Sequence, residues 1–184
     1  MNARVLTVAA AICGAVLCQG CVSMKEIYQQ EVVKARRPGQ QMVESPETTM
    51  KRLCCPPYQK NVIYLEDTGA LPERVGPGEE LNHRIRYAYS PATPSNVLHG
   101  RLVRRVLYRG REVFHDVSNQ AFCAGTWTID AFIKVPRNAP SGWYSIRLEI
   151  YSMGKTIRRS TLFYVKEKNK PSMTSSIGES PARN

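Results

Sequence analysis

The chain has 184 residues and a formal net charge of +11, from 26 Lys and Arg against 15 Asp and Glu. That length suits one ordinary domain rather than two, and that charge steers a protein toward polyanions: anionic glycans, phosphorylated lipid headgroups, an acidic partner or nucleic acid. The sequence has no aromatic-plus-basic RNA motif, zinc-finger spacing or helix-turn-helix pattern, so nucleic acid is not an expected ligand.

In chain order, the first feature is Arg4, an apolar and small-residue run over 5–17, and then Cys18-Gln19-Gly20-Cys21. The run is shorter than the roughly 20 residues that span a bilayer. Gly20 supplies the small residue that precedes an acylated cysteine, whereas bulky Leu17 stands directly before Cys18. The segment resembles a bacterial lipoprotein signal peptide. The resemblance implies that residues 1–20 are removed and that Cys21 carries lipid, holding the mature chain on a membrane. Val22 stands where Asp would favour retention in the inner membrane, so the implied address is the outer membrane, facing the periplasm.

Residues 21–60 are polar and broken by Pro38-Gly39. They read as a flexible tether, lipidated at its start, with an r.m.s. reach of about 35 Å. Ser23 and Glu26 have capping-box spacing and could start a short helix through Val33. Residues 166–184 are rich in Lys, Ser, Asn and Pro and read as a disordered tail.

Between them, over 61–165, the pattern has period two. Leu81, Ile85 and Tyr87 make one apolar face; Trp127, Ile129, Ala131, Ile133 and Val135 a second; Tyr144, Ile146, Leu148 and Ile150 a third; Ile157, Thr161, Phe163 and Val165 a fourth. Gly76-Pro77-Gly78, the stretch 136–142 and Met153-Gly154-Lys155 supply turns, and Arg109-Gly110 reads as the tip of a hairpin joining 102–108 to 111–115. Residues 61–65 would open the sheet. Six or seven short strands without an interior helix predict an all-β, antiparallel sandwich. The join Val135-Pro136-Arg137-Asn138-Ala139-Pro140-Ser141-Gly142-Trp143-Tyr144, with Gly154 and the final Phe163-Tyr164-Val165, resembles immunoglobulin-like sandwiches. That resemblance implies the fold and no particular activity.

Three cysteines remain after the anchor. In an oxidising compartment, Cys54 or Cys55 could pair with Cys123, leaving the other thiol free or used between chains. A vicinal Cys54–Cys55 bridge would be strained, and without Cys-x-x-Cys or a neighbouring histidine neither a metal site nor a redox site is expected. His83 falls on an inward strand face and His99 in a loop. His115 and Asp116 are adjacent, but neighbours on a strand point to opposite faces. With no Gly-x-Ser-x-Gly elbow and no Ser-x-x-Lys, and with scattered carboxylates, the chain is expected to be no enzyme and to need no cofactor.

The same alternation turns Trp143, Arg147, Glu149 and Tyr151 outward beside Arg158, Leu162 and Tyr164. Aromatic residues and Arg are the types enriched at protein interfaces, which makes Trp143, Arg147, Tyr151, Arg158, Leu162 and Tyr164 a candidate partner-binding face. Arg101, Arg104, Arg105, Arg109 and Arg111 concentrate around a hairpin as a candidate anion-binding strip, or as protection of an edge. The expectation is a lipoprotein whose sandwich binds an envelope protein as a structural or assembly subunit, with anionic glycan or lipid as further partners. The alternatives are an enzyme or inhibitor directed at cell-wall glycan, or a surface adhesin.

Overall fold

The computed structural model describes residues 23–54, 60–93 and 97–167. The signal segment with Cys21, the second vicinal cysteine Cys55, and the tail beyond residue 167 lie outside the described residues. The elements are α1 (Met24–Ala35), β1 (Gly39–Glu44), α2 (Pro46–Arg52), β2 (Val62–Leu71), β3 (Arg74–Val75), β4 (Glu80–Ser90), β5 (Leu98–Tyr108), β6 (Arg111–Phe122), β7 (Gly125–Lys134), β8 (Gly142–Ser152) and β9 (Lys155–Val165).

The strands form an all-β sandwich of two sheets, in the orders β1-β7-β4-β2 and β3-β9-β8-β5-β6. The β2-β4-β7 trio facing β9-β8-β5-β6 is the immunoglobulin-like arrangement, reached because the β5–β6 hairpin stays in one sheet while β7 crosses to the other. All pairs are antiparallel except one: the chain leaves the first sheet after Leu71, and β3 runs parallel to β9, with Arg74 opposite Tyr164 and Val75 opposite Val165.

The core follows the alternation. Ile85, Tyr87 and Tyr89 of β4 meet Leu148 and Ile150 of β8 and Leu102 of β5, all fully buried. A second apolar cluster at the other end gathers Val75, Val106, Tyr144, Ile146, Phe163 and Val165. His83 is inward as expected, yet it does not simply pack. Its Nδ1 accepts from Arg104 Nε at 3.2 Å, while Nε2 lies 2.9 Å from Thr68 Oγ1. Burial first, then the Arg104 charge, push the imidazole pKa down to about 3, so the ring is neutral.

Two expectations need correction. His99 is in strand β5 rather than in a loop, because that strand begins at Leu98 and pairs His99 with Ala121. The stretch 21–60 is no free tether over residues 23–54, since β1 pairs with β7 along Gly39–Glu44 and α2 lies over the same sheet. The expected helix forms, with Ser23 as its N-cap accepting from Lys25 N. These residues look like linker because they build a charged layer instead of an apolar one. Bulges in β1 near Val43 and in β2 near Glu66 bring Glu44 and Glu66 onto the outer face of the sheet. Arg52 of α2 then bridges Glu44 at 2.9 Å and Glu66 at 2.7 Å, and Arg86 of β4 bridges the same two at 3.0 and 3.1 Å. Beside them Arg84 holds the fully buried Asp130 through two bonds of 2.8 and 2.6 Å. Gly125 is required where β7 starts, because its φ is +104° and an added Cβ would sit 2.7 Å from the Glu44 carbonyl oxygen.

Candidate functional site

The outer face of the five-stranded sheet carries the candidate partner-binding residues, and the register places all six on that one face. Trp143 is opposite Tyr164, Ser145 opposite Leu162, Arg147 opposite Ser160, Glu149 opposite Arg158 and Tyr151 opposite Thr156. Strand β5 continues the face, with Arg101 beside Tyr151, Val103 beside Glu149 and Arg105 beside Arg147.

One end of the face is apolar and aromatic. Trp143 and Leu162 are 58% and 60% exposed. The indole packs edge-on against Tyr164 at 5.3 Å, and the guanidinium of Arg74 lies 5.1 Å from the Tyr164 ring centre. These contacts hold the Tyr164 ring between Trp143 and Arg74. The middle is ionic. Glu149 is on the outward side of β8 as the alternation predicts, yet it is 6% exposed, because its neighbours close over it. Tyr151 donates to it at 2.7 Å, Arg105 at 3.4 Å and Arg158 at 3.0 Å. The Tyr151 hydroxyl first, then the two guanidiniums, hold the Glu149 carboxyl below its ordinary range despite burial. Arg147 takes no part in this cluster and stands exposed beside it. Glu149 therefore fixes Tyr151 and Arg158, and Arg74 of β3 is a further member of the face that the strand pattern missed.

The arginine strip separates. Arg104 points inward, is 4% exposed, and bonds His83 and Asp116, the latter at 3.2 Å. It is a core residue and not part of an anion-binding surface. Arg105 is held by Glu112 at 2.6 Å as well as by Glu149. Arg101 lies over Tyr151 with its guanidinium 4.9 Å from the ring centre, and Arg109 over Tyr108 at 5.1 Å. Arg111 is exposed at the start of β6. The five residues thus divide among the core, ion pairs, aromatic contacts and open surface, and form no continuous strip.

His115 and Asp116 do diverge, as strand geometry requires: Asp116 reaches inward to Arg104, while His115 Nδ1 lies 3.0 Å from Glu112 Oε1. Cys54 and Cys123 are both free thiols, so of the two pairings considered the one between Cys54 and Cys123 is not formed; Cys55 lies outside the described residues. Among the described residues no group of three His, Cys, Asp or Glu is placed to hold a metal ion, and no helix is long and apolar enough to cross a membrane.

No known protein family matches the chain, and no curated protein sequence does. Solved structures that resemble it in part include the alkylpurine DNA glycosylase AlkC of Pseudomonas fluorescens bound to DNA containing an abasic site analogue, 14% identical with a TM-score of 0.42 over 57% of this chain and 30% of that one. A family 123 glycoside hydrolase from Clostridium perfringens is 16% identical, with a TM-score of 0.41 over 53% and 23%. The β-glucuronidase of Parabacteroides merdae is 11% identical, with a TM-score of 0.41 over 57% and 14%. This chain spans less than a third of the length of each of these proteins.

Proposed function

We propose that the protein is a membrane-anchored lipoprotein of the outer membrane, facing the periplasm, whose sandwich binds another envelope protein as a structural or assembly subunit. The observation that carries this reading is the outer face of the five-stranded sheet. Trp143 and Leu162 expose more than half their surface there, beside a Tyr164 ring fixed between Trp143 and Arg74. Exposed apolar groups framed by Arg and Tyr in fixed geometry are what the centre of a protein interface uses. The N-terminal motif with Cys21 supports the anchor.

The test is in-cell crosslinking and mass spectrometry of the tagged full chain against the variants Trp143→Ser with Leu162→Ser, and Arg147→Glu with Arg158→Glu. The reading expects one defined protein to crosslink to wild type and to be lost from both variants. A wild type that captures only murein moves the glycan-directed alternative to first place. Retention of the same protein by both variants removes this face from the interaction.

A further inference from the structure

Opposite that face, between the two sheets, the sandwich is open at one side. The β1 strand reaches along β7 only as far as Asp130, opposite Gly39, so among the described residues no strand pairs with 131–134 on that side. Strand β6 pairs only with β5 among the described residues. A bulge between Val106 and Leu107 leaves Val113 as an extra residue in β6. Val113 and its neighbour Phe114 both line the resulting cleft, and they are 56% and 47% exposed.

The cleft has a volume of about 320 Å³, within the range of small-ligand sites. Its floor is core: Val106, Tyr144, Phe163 and Val165. Its walls add Ile133, Val135 and the turn through Ala139. The two phenols in it are already committed, since Tyr108 donates to the Ser141 carbonyl at 3.2 Å and Tyr144 to the Pro140 carbonyl at 2.9 Å. At about 30 Å³ each, roughly ten waters would fill this space with few hydrogen-bond partners on its walls. An apolar occupant is favoured instead.

The mouth is cationic. Lys134 lines it directly, and a second depression shares Tyr108 and Val113 with the cleft while adding Arg109 and Arg111. Among the described residues none of these three cations is ion-paired. Glu112 is taken by Arg105 and His115, and Glu80, opposite Lys134 across the strands, forms no bridge to it.

From this juxtaposition we infer that the cleft between β6 and the end of β7 binds the aliphatic chain of a single-chain anionic lipid, a fatty acid or lysophospholipid, with the head group held at the mouth by Arg109, Arg111 and Lys134. Apolar depth selects the chain, and the cations select the charge. This site is separate from the proposed partner-binding face and does not rest on it.

The test uses the full chain reconstituted in phosphatidylcholine nanodiscs and a diazirine-bearing palmitate, with labelled peptides mapped by mass spectrometry. Label is expected within residues 111–118 and 131–140 and is displaced by oleate. Val113→Glu, at an exposed position where folding tolerates a charge, abolishes the label while its thermal unfolding midpoint stays near wild type. Arg109→Glu with Arg111→Glu weakens competition by oleate about tenfold and leaves competition by neutral monoolein unchanged. Label scattered over the exposed strands, or retained in Val113→Glu, overturns the site. Equal competition by oleate and monoolein in wild type overturns the head-group assignment.

Discussion

The buried His83 makes the stability of the sandwich depend on pH in a window where few other groups titrate. In the folded protein the imidazole is neutral, with its pKa pushed down from 6.5 to about 3 by burial and then by Arg104, which Asp130 only partly offsets. In the unfolded chain the ring regains its ordinary value of about 6.5. Between these values the unfolded state binds the extra proton, so stability rises with pH across the window and falls on acidification. The loss is absent above about pH 7 and deepens below pH 6.5, ending only near the folded pKa. At pH 5 it follows from the unfolded value alone, provided the folded pKa lies well below: one and a half units at 1.36 kcal/mol each, or about 2 kcal/mol. Urea unfolding of wild type and His83→Gln at intervals from pH 5 to 7.5 measures it. Both proteins keep His99 and His115, so the difference in slope isolates His83, and the carboxylates of Glu44, Glu112 and Glu149, held below their ordinary range, titrate beneath the window. Wild type should lose about 2 kcal/mol relative to the variant by pH 5. Parallel slopes for the two proteins would refute a neutral His83 in the fold.

Other outcomes follow from the same contacts. Arg84→Ala leaves the Asp130 carboxylate buried and unpaired, and urea unfolding should show a loss of about 3 kcal/mol. Gly125→Ala places a methyl against the Glu44 carbonyl at a positive φ and should cost about 1–3 kcal/mol, with the fastest amide exchange appearing in β1. A chain beginning at Asn61 lacks β1 and α2, leaving Arg86 and Glu66 without Glu44 and Arg52; its urea midpoint should fall well below that of the full chain. Cys123→Ala should leave the unfolding free energy measured in urea within about 0.5 kcal/mol of wild type, because Cys123 is a free thiol. A drop of several kcal/mol would show instead that Cys123 is bridged.

The sequence makes the strands legible wherever one face meets the core and the other meets water. Tyr144, Ile146, Leu148 and Ile150 announce β8 in this way, and the left-handed pair Arg109-Gly110, with φ of 49° and 77°, marks its hairpin through turn chemistry. Strand β1 was hidden because Gly39–Glu44 joins the sheet through backbone hydrogen bonds and carries no apolar alternation to reveal it. Bulges are equally silent, so neither the Glu44 and Glu66 pairing with two arginines nor the double apolar lip of Val113 and Phe114 could be read in advance. Arg104 is different. It stands midway between Leu102 and Val106, whose inward direction the alternation gives, so its burial was readable had the strand pattern been weighed above the charge of the side chain. On the partner-binding face, direction was legible and coverage was not: Glu149 is outward but closed over by neighbours from three strands.

Anchoring α1 to the sandwich changes the protein's geometry relative to a surface. Lys25 is bonded to Glu73 at 2.7 Å and Glu26 to Lys166 at 3.4 Å, and the Glu73 carbonyl accepts from the Tyr164 amide. If Cys21 is the point of attachment, only two steps of chain separate it from Ser23, a span of about 7 Å at full extension. The domain then sits on its support like a short post rather than swinging on a long cord. On that attachment Trp143 and Tyr164 lie toward the anchored end, and Tyr151, eight residues along β8 from Trp143, is about 27 Å further along the strand. On that attachment, a partner of the aromatic end would approach it close to the supporting surface.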